Sequence, residues 1–336
     1  MKSPLLSICI ATYNRAGYIG ETLDSIVPQL TDEVEIVVVD GASTDATRAV
    51  MERHAADCPG IRYIRLPEKG GVDRDYCRAV ESARGEYCWL FPDDDLFKPG
   101  AVRRVLGLLR KGHCLVIVNA EVMDRRLSTL LHPSMFDNRE DEIYGADELE
   151  GLFRRIVPGI SFIGCVVIRR EAWLAREHAR YIGTEFIHVG VIFQRPLPGS
   201  AYVIAEPCIT IRFGNAQWTS RSFDVWMRKW PGIIWSFDRI PAEAKRKRVK
   251  PEPWRRLKTL RFWRATGSYS REMYERIVAP SDASAPWKLA ALAIALLPQP
   301  AFNGYMLWYH RTFKKHKVMA IYELSTCREN LLRSSA

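Results

Sequence analysis

No C-x-x-C pair and no cluster of histidine with cysteine occurs in the 336 residues. That argues against a zinc site or a disulfide framework. The eight cysteines (Cys9, Cys58, Cys77, Cys88, Cys114, Cys165, Cys208, Cys327) are scattered, several inside apolar runs where a thiol packs as a small hydrophobe, as expected in a reducing compartment. The apolar stretch Leu289–Leu297 is too short to span a bilayer. Met1-Lys2-Ser3-Pro4 passes straight into strand-like sequence without a signal-peptide pattern. Repeats, low-complexity tracts and recognisable nucleic-acid-binding motifs are also missing, so solenoids and sequence-specific nucleic-acid readers are not expected.

What is present describes an ordinary globular chain, 47% hydrophobic and 26% charged, long enough for one large domain or two modest ones. The net charge of +10 hides an asymmetry. Residues 1–150 hold 18 Lys/Arg against 26 Asp/Glu, a net of −8, whereas residues 151–336 hold 31 against 13, a net of +18. An acidic front and a basic rear imply different partners for the two halves.

Strand and helix signals alternate through the first hundred residues. Leu6–Ala11 reads as a buried strand, followed by the polar turn Thr12-Tyr13-Asn14-Arg15 and a helix with Tyr18, Ile19, Leu23, Ile26 and Val27 at helical spacing. Glu35–Val39 is a second strand ending at Asp40 and Gly41, with Ser43 or Thr44 placed to cap a helix from Ala46 to His54. A third strand, Ile61–Arg65, a helix from Asp75 to Ala83 and a fourth strand, Tyr87–Phe91, follow. Such alternation predicts a mostly parallel sheet covered by helices, with ligands at the carboxyl ends of the strands. Beyond residue 113 the pattern loosens: strands are expected at His113–Ala120, Phe162–Ile168 and Tyr202–Arg212, an irregular loop from Asp124 to Tyr144, and a helix from Ala146 to Ile156. From about Ser222 the chain reads as helices rich in Trp, Arg and Lys.

Asp93-Asp94-Asp95 stands directly behind the fourth strand. Three carboxylates that close repel one another and are costly to desolvate without a cation. A hard divalent metal, Mg²⁺ or Mn²⁺, holding a diphosphate would compensate them; the competing reading is a solvated acidic turn before a helix. Tyr13, Asp40 and Asp93 each follow a strand, so all three are expected to share one cleft.

In order and spacing, Ser7-Ile8-Cys9-Ile10-Ala11-Thr12-Tyr13-Asn14-Arg15, Val37-Val38-Val39-Asp40-Gly41-Ala42-Ser43-Thr44-Asp45 and Ala83-Arg84-Gly85-Glu86-Tyr87 through the triplet to Pro99-Gly100 resemble family 2 glycosyltransferases of the GT-A fold. Within that family Gly70-Gly71-Val72-Asp73, Trp89–Asp95 and Gly183–His188 look most like abequosyltransferase-type enzymes of bacterial O-antigen synthesis. The resemblance implies an α/β fold with a Rossmann-like mixed sheet and a C-terminal helical extension. It divides the chain into a catalytic domain at 1–220, with nucleotide-binding half 1–110 and acceptor half 111–220, and a basic helical region at 221–336. It places Ala11, Tyr13 and Asp40 on the donor's base, Asp93 on ribose or metal, and Asp94 and Asp95 on the metal and diphosphate; which of these two is the direct ligand depends on a one-residue choice of alignment. Where the family often has an Asn after an Ala-Arg pair, this chain reads Asp75-Tyr76-Cys77, and Asp73 and Arg74 are the substitute donor contacts.

The implied reaction moves a sugar from a nucleotide-linked donor (UDP, dTDP, CDP or GDP) to a surface glycan, with inversion. Glu185, one of few acids in the basic rear, is the expected general base, with an ordinary surface glutamate as the alternative. His188, three residues on, would share a helical face with it as a metal, acceptor or diphosphate ligand, or be a structural histidine. Arg212 could pair with phosphate, Asn215 lies beside it, and Trp218 could stack on a sugar, or all three could pack a strand-to-helix connection. In the tail, Lys245–Lys250 and Arg255–Arg264 mix cations with Trp254, Phe262 and Trp263, and Tyr305, Trp308 and Tyr309 precede Arg311 to Lys315. These suit a peripheral protein on the anionic inner face of the cytoplasmic membrane, acting on an acceptor such as a polyprenyl-diphosphate-linked glycan, or else a helical bundle. Nucleic acid is not an expected partner. The rival functions are a nucleotidyltransferase, disfavoured because Thr12-Tyr13-Asn14-Arg15 is no Gly-rich cationic loop, and a non-catalytic membrane- or nucleic-acid-binding scaffold.

Overall fold

The computed structural model describes residues Ser3–Ser334. Its elements through residue 212 are β1 (Leu6–Thr12), α1 (Ile19–Ile26), β2 (Val34–Asp40), α2 (Thr47–Asp57), β3 (Ile61–Arg65), α3 (Val72–Ser82), β4 (Tyr87–Phe91), β5 (Leu96–Phe97), α4 (Ala101–Leu109), β6 (Leu115–Ile117), β7 (Ala120–Met123), β8 (Leu130–His132), β9 (Glu142–Tyr144), α5 (Leu149–Ile156), β10 (Val166–Arg169), α6 (Arg170–Leu174), α7 (Ile187–Phe193), β11 (Ala201–Val203) and β12 (Ile209–Arg212). The chain forms two compact units, each discontinuous in sequence. The first comprises residues up to Val122, Pro133–Arg212 and Phe237–Ala244; the second comprises Met123–His132, Phe213–Ser236 and the chain from Lys245 onward.

An eight-stranded sheet of order β3-β2-β1-β4-β10-β6-β11-β9 organises the first unit. β1 pairs in parallel with β2 and β4, and β2 with β3, whereas β10 runs antiparallel to both β4 and β6. The sheet is therefore mixed, because β10 arrives after a loop and a short helical turn rather than through a right-handed crossover. Central strands are covered on both faces and so read as mostly apolar runs: every residue of β2 and of β4 is buried, Glu35 and Asp40 of β2 included. α1 buries Ile19, Thr22, Leu23 and Ile26, the i, i+3, i+4, i+7 stripe of an amphipathic helix. Trp89 anchors the centre, stacked on Phe97 at 4.2 Å with its indole N–H donating to the Gly164 carbonyl at 2.8 Å.

Gly85 shows why the Ala-Arg-Gly-Glu-Tyr run is constrained. A Cβ there would stand 2.6 Å from Ser7 Oγ and 2.7 Å from Ser7 N, while its N–H donates to Ser7 Oγ at 2.8 Å. The same Ser7 hydroxyl donates to the buried Glu35, which also takes the Arg84 N–H and pairs with Arg62.

Several elements differ from expectation. Thr44 and Ser43 do not cap α2: Asp45 Oδ1 accepts the Thr47 N–H at 2.9 Å, freeing Ser43 and Thr44 to bind Asn14. The expected strand at 113–120 is two strands, β6 and β7, and the expected 202–212 strand is β11 and β12 separated by a loop. β8 and β9 lie inside the stretch expected to be irregular. These are strands of three or four residues, too short for a period-2 pattern to register.

The second unit is helical, with helices at Leu257–Thr266, Ala285–Leu296, Gln299–Phe313 and Val318–Ser334. Phe223, Trp254, Trp263, Tyr269, Val278 and Ile294 share its core. Among the described residues no helix is long and apolar enough to cross a membrane.

Candidate active site

Register brings the acidic residues together. Thr12 is level with Asp40 across β1 and β2, and Ile10 with Phe91 across β1 and β4. The carboxyl ends of the three strands therefore open side by side where the strand order reverses, the position at which open α/β sheets bind ligands.

Asp93 and Asp95 are buried and Asp94 half-buried. Arg15, from the loop after β1, supplies a cation: its Nε lies 3.3 Å from Asp93 Oδ1 and its Nη2 3.1 Å from Asp94 Oδ2. Burial opposes the guanidinium's charge, but Asp93 and Asp94 hold its pKa above the ordinary value. The carboxylates remain under-compensated. Burial and Asp94 push Asp93 up to about 6 despite Arg15, and burial and Asp94 push Asp95 well above the usual range. Because β12 pairs antiparallel with β5, Arg212 arrives beside the triplet. Its backbone N–H donates to Asp95 Oδ1 at 2.7 Å, its Nε donates to the Asp94 carbonyl at 3.0 Å, and its Nη2 meets Glu21.

Asp40 is fully buried; Oδ1 accepts the Ser43 N–H at 2.7 Å and Oδ2 accepts the Tyr63 hydroxyl at 2.5 Å. Burial, and then Asp40, raise the Tyr63 phenol. Tyr13 lies half-buried past β1 with Lys69 Nζ 3.7 Å from its ring centroid, a cation–π contact. Ala11 is half-buried near the end of β1.

Asp73 takes a position its sequence did not suggest. Oδ2 accepts the N–H of Gly183 at 2.8 Å and of Glu185 at 2.9 Å, and Oδ1 accepts that of Ile187 at 3.2 Å. It thus ties α3 to the turn before α7. Burial lifts its pKa although the three N–H groups pull it down. Glu185 sits in that turn at φ +68°, a left-handed backbone uncommon for a side-chain-bearing residue. It precedes α7, so the expected shared helical face with His188 does not form. His188 is buried, with Nε2 2.7 Å from the Ile160 carbonyl, and burial pushes its pKa down to about 4. It is a core histidine, not an open ligand. Arg74 is exposed between the buried Asp73 and Asp75. Asn215 and Trp218 belong to the second unit, where Trp218 packs edge-on against Trp226 at 6.0 Å.

Arg15, Tyr63, Lys69 and Glu21 were missed as site residues. The signal for Arg15 was its place in a strand-end loop of the acidic half; the β2–β3 register brings in Tyr63, and Lys69 in the loop after β3 and Glu21 on α1 are brought in by tertiary packing. Among the described residues no three His, Cys, Asp or Glu side chains converge to form a ready metal cage. The all-oxygen, under-neutralised triplet nonetheless suits a hard ion, since Mg²⁺-type sites use one or two carboxylates and complete their shell with phosphate and water.

A mixed sheet with carboxylates at its reversal point is the arrangement of the GT-A fold. Two solved structures share it at low identity: Staphylococcus aureus TarS 1–349 in complex with UDP (TM-score 0.54, 17% identity, 96% of this chain and 91% of that one) and the mannosyltransferase PcManGT from Pyrobaculum calidifontis in complex with GDP-Man and Mn²⁺ (TM-score 0.55, 18% identity, 98% and 88%). A family model described as Glycosyl transferase family 2 matches residues 7–173. The abequosyltransferase RfbV of Salmonella typhimurium is 30% identical over 225 residues, 63% of this chain and 67% of the relative. An uncharacterized glycosyltransferase of Rickettsia typhi is 25% identical over 229 residues, 66% and 68%. The chain belongs to glycosyltransferase family 2 and is a glycosyltransferase of the hexosyltransferase type.

Proposed function

We propose that this protein transfers a sugar from a nucleotide-diphosphate donor to a cell-surface polysaccharide, with inversion and with help from Mn²⁺ or Mg²⁺. The observation that carries the reading is the convergence of Asp40, Arg15 and Asp93–Asp95 at the carboxyl ends of β1, β2 and β4. The names of the relatives support the polysaccharide class, an abequosyltransferase among them.

Tyr13 packs on the base and Asp93 faces the ribose side. Asp94 and Asp95 are the residues that would hold the metal, with Arg15 fixing Asp94 and the Arg212 N–H fixing Asp95. A bound divalent ion would neutralise charge on the departing diphosphate as a Lewis acid. Glu185 acts as the base, taking the proton of the acceptor hydroxyl, and Asp73 holds its backbone in place. The second unit presents exposed Leu289, Leu296, Tyr305, Trp308 and Phe313 on two helices that themselves carry only Lys288 and Arg311, with further cations at Lys314, Lys315 and Lys317 just beyond, which supports peripheral docking on an anionic leaflet near a lipid-linked acceptor.

The test is direct. Purified protein is offered nucleotide sugars with Mn²⁺ and an oligosaccharide acceptor, and Asp94→Ala and excess EDTA are each compared with the untreated enzyme. Transfer lost in both arms, with folding intact, is expected; full turnover in EDTA removes the metal from the reaction. Flotation with anionic vesicles, weakening at high salt, is expected for the docking surface, and equal partition with neutral vesicles counts against it.

A further inference from the structure

On α3, two residues beyond Asp73, stands a carboxylate that the transfer scheme does not use. Asp75 is 4% exposed, and its buried Oδ1 has no hydrogen-bond partner. A carboxylate removed from water without a donor is costly, and a fold retains one where something else rewards it. Its setting points to a ligand. Two glycines border the carboxylate: a Cβ on Gly41 would stand 2.8 Å from Oδ2, and one on Gly70 would stand 3.1 Å from Oδ1. A side chain at Gly41 would displace the carboxylate and one at Gly70 would press on it, so both loops approach this one side chain closely. Gly41 directly follows Asp40 at the end of β2, and Gly70 directly follows Lys69, which covers the ring of Tyr13. Burial, then the neighbouring Asp40, push the Asp75 carboxyl up to about 6, with Lys69 opposing.

Asp40, by contrast, already takes one donor on each oxygen, from Ser43 and Tyr63. The unspent hydrogen-bonding capacity at this end of the cleft is therefore on Asp75.

We infer that Asp75 reads the base of the nucleotide donor, hydrogen-bonding an N–H on the base's polar edge and setting which nucleoside diphosphate the enzyme accepts. The inference rests on the donor class proposed above. A site built to hydrogen-bond one polar edge discriminates strongly, since a mismatched base leaves the buried group unpaired. Asp75 is a specificity residue and takes no part in sugar transfer itself.

The experiment measures binding of UDP, dTDP, GDP, CDP and ADP with Mn²⁺ by calorimetry at pH 7.5, for the wild type, Asp75→Ala and Asp75→Asn. The same three proteins are melted without nucleotide. In the wild type one base should be preferred; in Asp75→Ala its Kd should rise about 10- to 100-fold, bringing it level with the others. Asp75→Asn should melt at or above the wild-type temperature without nucleotide, because it removes an unpartnered buried charge, and should weaken the base preference less than Asp75→Ala does, because its amide oxygen still accepts. An unchanged ranking in both variants overturns the inference. So does a nucleotide-free Asp75→Asn that melts lower or fails to fold, which makes Asp75 a structural residue. If the wild type binds none of the five, the donor reading itself fails, a result distinct from either.

Discussion

Replacing Asp73 with alanine removes three contacts at once. Its carboxylate accepts N–H groups at 2.8, 2.9 and 3.2 Å from Gly183, Glu185 and Ile187. Hydrogen bonds to a charged group contribute about 1.5–3 kcal/mol each, so a naive sum approaches about 7 kcal/mol. Two corrections lower it. Gly183 is exposed and Glu185 half-buried, so their N–H groups can turn to water, and deleting a desolvated carboxylate relieves its own burial cost. The net loss should be about 2–4 kcal/mol, with Asp73→Asn near half of that because one amide oxygen still accepts. Urea titration should show a lower midpoint at unchanged slope. Turnover should fall more than donor affinity, because the turn carrying Glu185 at φ +68° loses its tether while the donor pocket keeps its residues. An Asp73→Ala protein within about 0.5 kcal/mol of wild type, at full turnover, would refute the tether.

Further outcomes concern the same site and the core. Glu185→Gln should bind donor normally and lose turnover, whereas near-wild-type turnover removes Glu185 from the chemistry. Glu185→Gly should raise stability by about 1 kcal/mol by relieving the left-handed backbone, measurable in urea. Arg15→Met strands Asp93 and Asp94 and should cost about 3–5 kcal/mol, with Mn²⁺ raising the melting temperature more in the variant than in the wild type; equal metal shifts would contradict the charge argument. His188 is held neutral down to about pH 4, while the unfolded chain takes up the proton near 6.5. Its folded pKa is the lower one, so stability is present above pH 6.5 and is lost as pH falls toward 4. The loss is about 3 kcal/mol, which His188→Leu should abolish in paired denaturation curves.

The first hundred residues were legible because their signals are local. β1, β2 and β4 are mostly apolar and buried almost throughout, β3 is a half-buried edge strand, and the polar residues that follow β1, β2 and β4 are sent by the strand-end rule to one cleft. The residues from 113 to 212 were harder, since strands of three or four residues carry no readable period and β10 enters the sheet antiparallel after a loop. His188 shows the limit of spacing arguments. It stands three residues from Glu185, but the backbone turns left-handed at Glu185 before the helix begins, so the two side chains never share a face.

By itself, then, the amino-acid order determined the alternating α/β plan, the acidic front and the gathering of Asp40 with Asp93–Asp95, because strand burial and strand polarity depend on neighbours in sequence. Only the tertiary structure decided which charges are answered. Arg15 reaches Asp93 and Asp94, Arg212 crosses from β12 to Asp95, and Asp73 binds a turn more than a hundred residues away. Asp75 alone among these aspartates keeps a buried oxygen without a partner. Such pairings depend on register and on angströms between distant segments, which no local pattern encodes.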